Sequence, residues 1–269
     1  MPGSTPHPEH GLYAGLKERI AMTTTRAADR AGAARAARRG PRRVRLDTAK
    51  IVAAGLEVAE ESGSAIFSPK LLGDKLGVDP SAVYRHFQSK RHLMEALLDA
   101  VQLRTLGAVT APREAWRERV TELAAATFSE YCRYPSIAAE AMTLTTHGPG
   151  EQGAIELLLD AFTVCGLPDD DVVRYYALAS SYILSMASGI ARSRADLGAH
   201  RPEEPEEDGS WMDGPILVDP KNYPRTALLT VQLSELRDRE IFMQGVAALL
   251  DTAERDARGE RSRPLLWTQ

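Results

Sequence analysis

The chain has 269 residues, 43% of them hydrophobic, and a formal net charge of −4. That is apolar material for one large domain or two modest ones, with no run approaching the ~20 residues a membrane helix needs and no secretory-type apolar block at the start. The only two cysteines, Cys132 and Cys165, have neither the density of a disulfide framework nor zinc-ligand spacing, so a reducing cytoplasm is the expected compartment.

Residues 1–45 are rich in Gly, Pro, Ala, Thr and Arg and poor in large apolar side chains, which predicts a disordered arm. Charge is concentrated at its end. Arg26, Arg30, Arg35, Arg38, Arg39, Arg42, Arg43 and Arg45 are opposed only by Asp29, giving +7 over residues 26–45 and leaving −11 for residues 46–269. A basic end ahead of an acidic body orients a molecule towards a polyanion. The plainer reading is a solvated tail without a role.

Asp47 is a good cap for a helix running to about Glu61, with Ile51, Ala54, Leu56 and Val58 on a broad apolar face and Ser62-Gly63 as its stop. Ser68 caps a second helix with Pro69 at its first position, and this helix is expected to offer Leu71, Leu72 and Leu76 to the core. Gly77 supplies the positive φ of a tight turn, Val78 plugs into the core, and Asp79-Pro80 opens a third helix. Ser89 starts a fourth, in which Leu93, Leu97, Leu98 and Val101 recur at three- and four-residue steps. A helix, a tight turn and a short helix ending in aromatic and basic residues form the layout of a helix-turn-helix, whose second helix enters the DNA major groove.

Beyond Pro112 the pattern stays helical, over roughly 113–133, 136–146, 151–165, 169–195 and 235–257, so the expected architecture is all-α. The last segment carries two four-spaced ridges, Ile241-Gly245-Leu249 and Phe242-Val246-Leu250, suited to ridge-into-groove packing. A long polar connection, about 196–224, holds the acidic run Glu203–Asp208. Connections of this length are functional or disordered.

The stretch from Ile51 to Gly63, the turn Leu72 to Val78, and above all Tyr84-x-x-Phe87-x-x-Lys90 after Leu-Gly-Val resemble the DNA-binding domain of the tetracycline-repressor (TetR) family. The resemblance covers about residues 46–103; the ending Phe242 to Leu250 is more weakly similar to the family's last helix. It implies an arm (1–45), a three-helix DNA-binding domain (46–103) and a helical dimerisation and ligand-binding domain (104–269). Base-edge contacts would come from Pro80, Ser81, Ala82, Arg85 and His86, and phosphate contacts from Ser68, Tyr84 and Lys90. The chemistry suits these roles: Arg85 can donate a bidentate pair to guanine, and Lys90 stands at a helix N-terminus where anions are already favoured. Two departures stand out. Ala82 occupies a position where many members carry Thr or Ser, so a thymine-methyl contact is expected in place of a hydroxyl contact; Gly73 stands where Ala is usual, which is expected to loosen the second helix by about 1 kcal/mol.

The resemblance further implies double-stranded operator DNA, a small-molecule effector and a second copy of the chain as partners, with no membrane and no cofactor. Arg42, Arg43 and Arg45 are expected to extend the DNA footprint through an adjacent minor groove or along the backbone. For the effector, the amphipathic residues of the inner helices are the candidates: Phe128, Tyr131, Met142, His147, Tyr175, Tyr176, Tyr182 and Met186. Each of these is otherwise ordinary helical core, and His147 is equally a loop residue. The expected activity is that of a repressor released by its effector; a ligand-independent or activating regulator is the alternative. An enzyme is the rival class, but the chain contains no phosphate-binding Gly-x-x-x-x-Gly-Lys-Ser/Thr loop, no Gly-x-Ser-x-Gly elbow and no His-Glu-x-x-His pair. Nor does the 203–208 run have the alternating ligands of a calcium loop, so no metal is expected.

Overall fold

Short polar side chains set the helix starts. The computed structural model describes residues 46–198, 209–212 and 216–260, and the candidate arm residues Arg42, Arg43 and Arg45 lie outside them. Helix α1 (Thr48–Ser62) opens where the Asp47 carboxylate accepts from the Lys50 N–H at 2.9 Å, and it ends at Gly63 with φ 56°. Helix α2 (Pro69–Leu76) opens with Ser68 Oγ accepting from Leu71 N, and the chain reverses at Gly77, φ 65°. That left-handed conformation is strained for any residue with a Cβ, so glycine is required there. Helix α3 (Lys90–Gly107) begins with Ser89 Oγ accepting from His92 N at 3.1 Å.

Between α2 and α3 the expected third helix is a single tight 3-10 helix, Pro80–Arg85. Its bonds run from Ala82 N to Asp79 O (2.8 Å) and from His86 N to Val83 O (3.0 Å). Val83 on its inner side and Phe87 just beyond it are buried in the core. Leu71 differs from expectation: it is 46% exposed, while Leu72 on the next position is fully buried and Leu76 and Val78 are half-buried. An eight-residue helix packed on one side has room for a single central apolar stripe.

The remainder consists of α4 (Trp116–Arg133), the short α5 (Pro135–Ala138), α6 (Pro149–Val164), α7 (Asp169–Asp196), the short α8 (Pro224–Leu228) and α9 (Thr230–Glu235), and α10 (Asp238–Ala257). Among the described residues the architecture is all-α, broken only by an isolated bridge between Ser210 and Arg237. The helix expected over 136–146 stops at Ala138 and continues as turns to Thr143. The run Thr143-Leu-Thr-Thr146 followed by Gly148-Pro149 is poor helix material, and the Thr143 hydroxyl bonds to Glu140 O.

Helix α3 joins the two halves. Leu93 and Leu97 are buried in the helix-turn-helix core, and Leu97 packs so closely on Gly55 of α1 that a Cβ there would lie 2.7 Å from it. Two residues further on, Asp99 Oδ1 accepts from Gly150 N (2.9 Å), Glu151 N (3.2 Å) and Thr146 Oγ1 (3.0 Å). This carboxylate from another helix is the cap of α6, whose own preceding residue, Gly148, has no side chain to supply one. Helix α4 lies along α7 with α10 against both, around a buried aromatic cluster in which Phe128 meets Phe242 at 5.2 Å and Phe242 stacks with Tyr182 at 5.9 Å.

Candidate functional site

Two features have the chemistry of a site, one on the surface and one inside. On the surface, the 3-10 helix leaves Ser81, Arg85 and His86 exposed, with Ala82 and Tyr84 half-buried beside them and Pro80 half-buried at its start. Lys90 is exposed at the first position of α3, and Lys70 is exposed on the first turn of α2. Arg85, Lys90 and Lys70 form no ion pair among the described residues, whereas nearby Lys75 is held between Glu57 (2.8 Å) and Glu61 (2.6 Å) and Arg91 is held by Glu95 (2.9 Å). The cations on this face are thus free to meet phosphate. Lys70 is not among the residues expected from the sequence, although its place directly after a Ser-Pro helix start is the signal that finds it.

In the structure the Asp47 carboxylate is close enough to His86 for their charges to interact, and its pKa is lowered chiefly by the Lys50 N–H. Asp79 is also held below the usual carboxylate range by its bonds to Ser81. Both carboxylates are engaged with backbone N–H groups at helix starts. Ser68, expected at a phosphate, has its oxygen engaged in the same way by Leu71 N at 3.4 Å.

Gly73 has a different role from the loosening expected of it. A Cβ there would lie 2.9 Å from Val78 O and 2.9 Å from Pro80 Cγ. Real Cβ atoms essentially never come so close, so the missing methyl is what lets Pro80 and the 3-10 helix seat against α2.

Inside, α3, α4, α6 and α7 enclose a cavity of about 90 Å³. Tyr131 and Tyr176, both expected to face an effector, line it; so do Gln102, Thr105, Thr127 and Ser180, which had not been singled out. Their signal is a polar residue recurring on an otherwise apolar helix face. The remaining candidates lie elsewhere. Phe128 is core against Phe242, with the Arg194 guanidinium 5.2 Å over its ring. Tyr175 donates to Asp256 at 2.8 Å, and Tyr182 donates to Phe242 O at 3.1 Å. Met142, 53% exposed, sits on the turns that replace the expected helix, and His147, exposed with φ 54°, lies on the connection before α6; neither lines this cavity. Met186 lines a wider cleft of about 510 Å³ between the second half of α7 and Gly209–Met212. Its floor is the Arg194–Asp238 pair, doubly bonded at 2.7 Å and almost fully buried. Asp238 also accepts from Gly209 N at 3.0 Å, tying the loop to the start of α10.

Burial pushes the Cys132 thiol up to about 12 and also raises that of Cys165; both cysteines are free. They are therefore protonated and unreactive at neutral pH. No helix among the described residues is long and apolar enough to cross a membrane.

Residues 51–97 match the family of bacterial regulatory proteins of the tetR type, and residues 110–254 match the tetracyclin repressor-like C-terminal domain. The chain is 25% identical over 156 residues to the HTH-type transcriptional repressor DrrR1 of Streptomyces coeruleorubidus, covering 58% of this chain and 56% of that one. The chain thus spans little more than half the length of this curated relative. Among solved structures, a TetR-type transcriptional regulator from Streptomyces coelicolor superposes with a TM-score of 0.58 at 23% identity, covering 80% of this chain and all of that one. The Streptomyces coelicolor protein ActR, solved in complex with actinorhodin, gives 0.61 at 17% identity, over 79% of this chain and 98% of that one. A helix-turn-helix with free cations on its second element, followed by a helical domain matched over more than half of the chain, places this protein in the TetR family.

Proposed function

We propose that the chain is a sequence-specific DNA-binding transcriptional regulator, acting as a dimeric repressor that a small molecule releases from its operator. The observation that carries this reading is the set of uncompensated cations around the 3-10 helix, where Arg85 stands exposed beside Ser81 and His86. In it, Arg85, His86, Ser81, Ala82 and Pro80 meet base edges. Lys90, Tyr84 and Lys70 hold phosphates, with Ser68 contributing the hydroxyl hydrogen that its capping bond leaves available. Arg42, Arg43 and Arg45 extend the footprint.

A second copy is supported by the apolar residues left on the outer surface of the C-terminal helices: Val173, Leu178, Leu228 and Val231 are each at least half exposed. A dimer sets two recognition elements about one helical turn apart, ~34 Å, so a modest rotation puts both out of register. The effector site is the cavity lined by Tyr131 and Tyr176. Helix α3 supplies Gln102 and Thr105 to its wall and Leu93 and Leu97 to the helix-turn-helix core, so a ligand that binds the two spacings with unequal affinity shifts DNA binding.

Retention of DNA from upstream of the chain's own gene and its neighbours tests the reading. Arg85→Ala is expected to weaken specific retention by about 1–3 kcal/mol with the melting temperature unchanged. Lys90→Ala is expected to lower the slope of log affinity against log salt by about one. Retention insensitive to Arg85 and Lys90 would discard the proposal.

A further inference from the structure

The interior cavity contains two polar atoms without a partner. Tyr131 Oη and Gln102 Oε1 are buried from solvent and make no hydrogen bond. Tyr131 as a whole is 1% exposed. A buried donor or acceptor left unmet carries its full desolvation cost, so such groups persist where something else meets them. Their neighbours are already engaged. Thr127 Oγ1 donates to Leu123 O at 2.8 Å, Thr105 Oγ1 to Gln102 O at 2.8 Å, and Ser180 Oγ to Ala177 O at 3.3 Å. The cavity therefore presents one uncommitted hydroxyl donor and one uncommitted carbonyl acceptor, on facing helices, against walls of Leu123, Ile155, Leu158 and Ile183.

Charge narrows the chemistry further. Among the described residues the only ionisable group on the wall apart from the tyrosines is Glu151, whose Oε2 accepts from His147 N at 2.6 Å, and no Lys, Arg or His of theirs lines the cavity. Burial alone drives the Tyr131 phenol well above its ordinary pKa, so it stays a neutral donor. An anion would enter a site with a carboxylate and no cation, at a prohibitive desolvation cost. Size limits the occupant as well: 90 Å³ is about three waters' share of liquid volume, below the ~150 Å³ of a cavity that accepts benzene.

Resting on the effector-site reading above, we infer that the cavity takes the polar edge of an uncharged molecule bearing a carbonyl next to a hydroxyl. Tyr131 Oη donates to the carbonyl and Gln102 Oε1 accepts from the hydroxyl. A short acyclic chain fits; a six-membered ring does not enter without opening the helices.

The test uses the full chain without DNA and three probes of one carbon count, hydroxyacetone, acetone and propanoate, followed by ligand-observed NMR. The hydroxyketone is expected to bind about tenfold more tightly than the ketone, one hydrogen bond's worth, and the carboxylate not at all. Gln102→Leu should erase the preference for hydroxyketone over ketone. Tyr131→Phe should weaken both ketones equally. Neither variant should melt below the parent chain, because each removes an unmet polar atom. Binding of the carboxylate, binding of none of the three, or an unchanged preference in both variants would overturn the inference. A chain that sorts the probes as stated yet retains no DNA would keep this ligand class and lose the regulatory reading instead.

Discussion

The helix-turn-helix and the helical body handle polar groups in opposite ways. In the first, Ser68, Asp79 and Ser89 are engaged by neighbouring N–H groups at helix starts, the core is purely apolar, and unpaired charge is turned outward. In the body, charge and hydroxyls are drawn inside: Arg194 and Asp238 are buried together, and Tyr131 and Gln102, on a cavity wall, each keep a buried polar atom without a partner. A surface that reads a polyanion needs exposed cations on a rigid base. An interior that recognises a small molecule needs dry, directional groups, and holds them at a cost in stability.

The sharpest way to break this contrast is at Asp238. Asp238→Ala takes from the buried Arg194 guanidinium both bonds of its carboxylate partner and is expected to cost about 3–5 kcal/mol in urea unfolding, against far less for the double replacement Arg194→Met, Asp238→Leu. Equal losses for the single and double variants would show that the buried charge is not what the body depends on.

A smaller effect is expected at Gly73→Ala, which forces a methyl against Val78 O and Pro80. About 1–3 kcal/mol of stability should be lost, and Pro80→Ala in the same chain should restore part of it. Full tolerance of Gly73→Ala would remove the close seating of the 3-10 helix.

The smallest effects are in pH dependence and have opposite signs. Asp160 is held below the usual carboxylate range by Arg113 (2.6 Å) and Arg119 (2.7 Å). Its contribution is fully present above the unfolded value of about 3.9 and is lost as pH falls through the lowered folded value. Asp160→Asn should therefore melt earlier at pH 7 and match the parent chain in strong acid. Glu130 is raised, first by burial. Its charge opposes folding at neutral pH and the cost fades as pH falls through that raised value, a gain that Glu130→Gln should abolish.

Where an interaction is local, the sequence predicted it. Asp47, Ser68, Asp79 and Ser89 each accept from an N–H two or three residues ahead, so their capping roles are visible in a short window. The Tyr84-x-x-Phe87-x-x-Lys90 spacing is equally local. What escaped was non-local. The cap of α6 comes from Asp99, about fifty positions upstream, and no window joins the two. The cavity wall is assembled from four helices, so amphipathic position alone found Tyr131 and Tyr176 but also Met142, which helix breakage carries to the surface, and His147, which lies on the connection before α6. Gly73 was read through helix propensity when its environment is set by Pro80, across a turn.

The Gly73–Pro80 contact limits how this protein can be retargeted. Anyone randomising the recognition element to address a new promoter can vary Ser81, Arg85 and His86 independently, since solvent surrounds them. Positions 73 and 80 form a single lock and must be exchanged as a matched pair, or the library will consist mainly of misseated elements rather than new specificities.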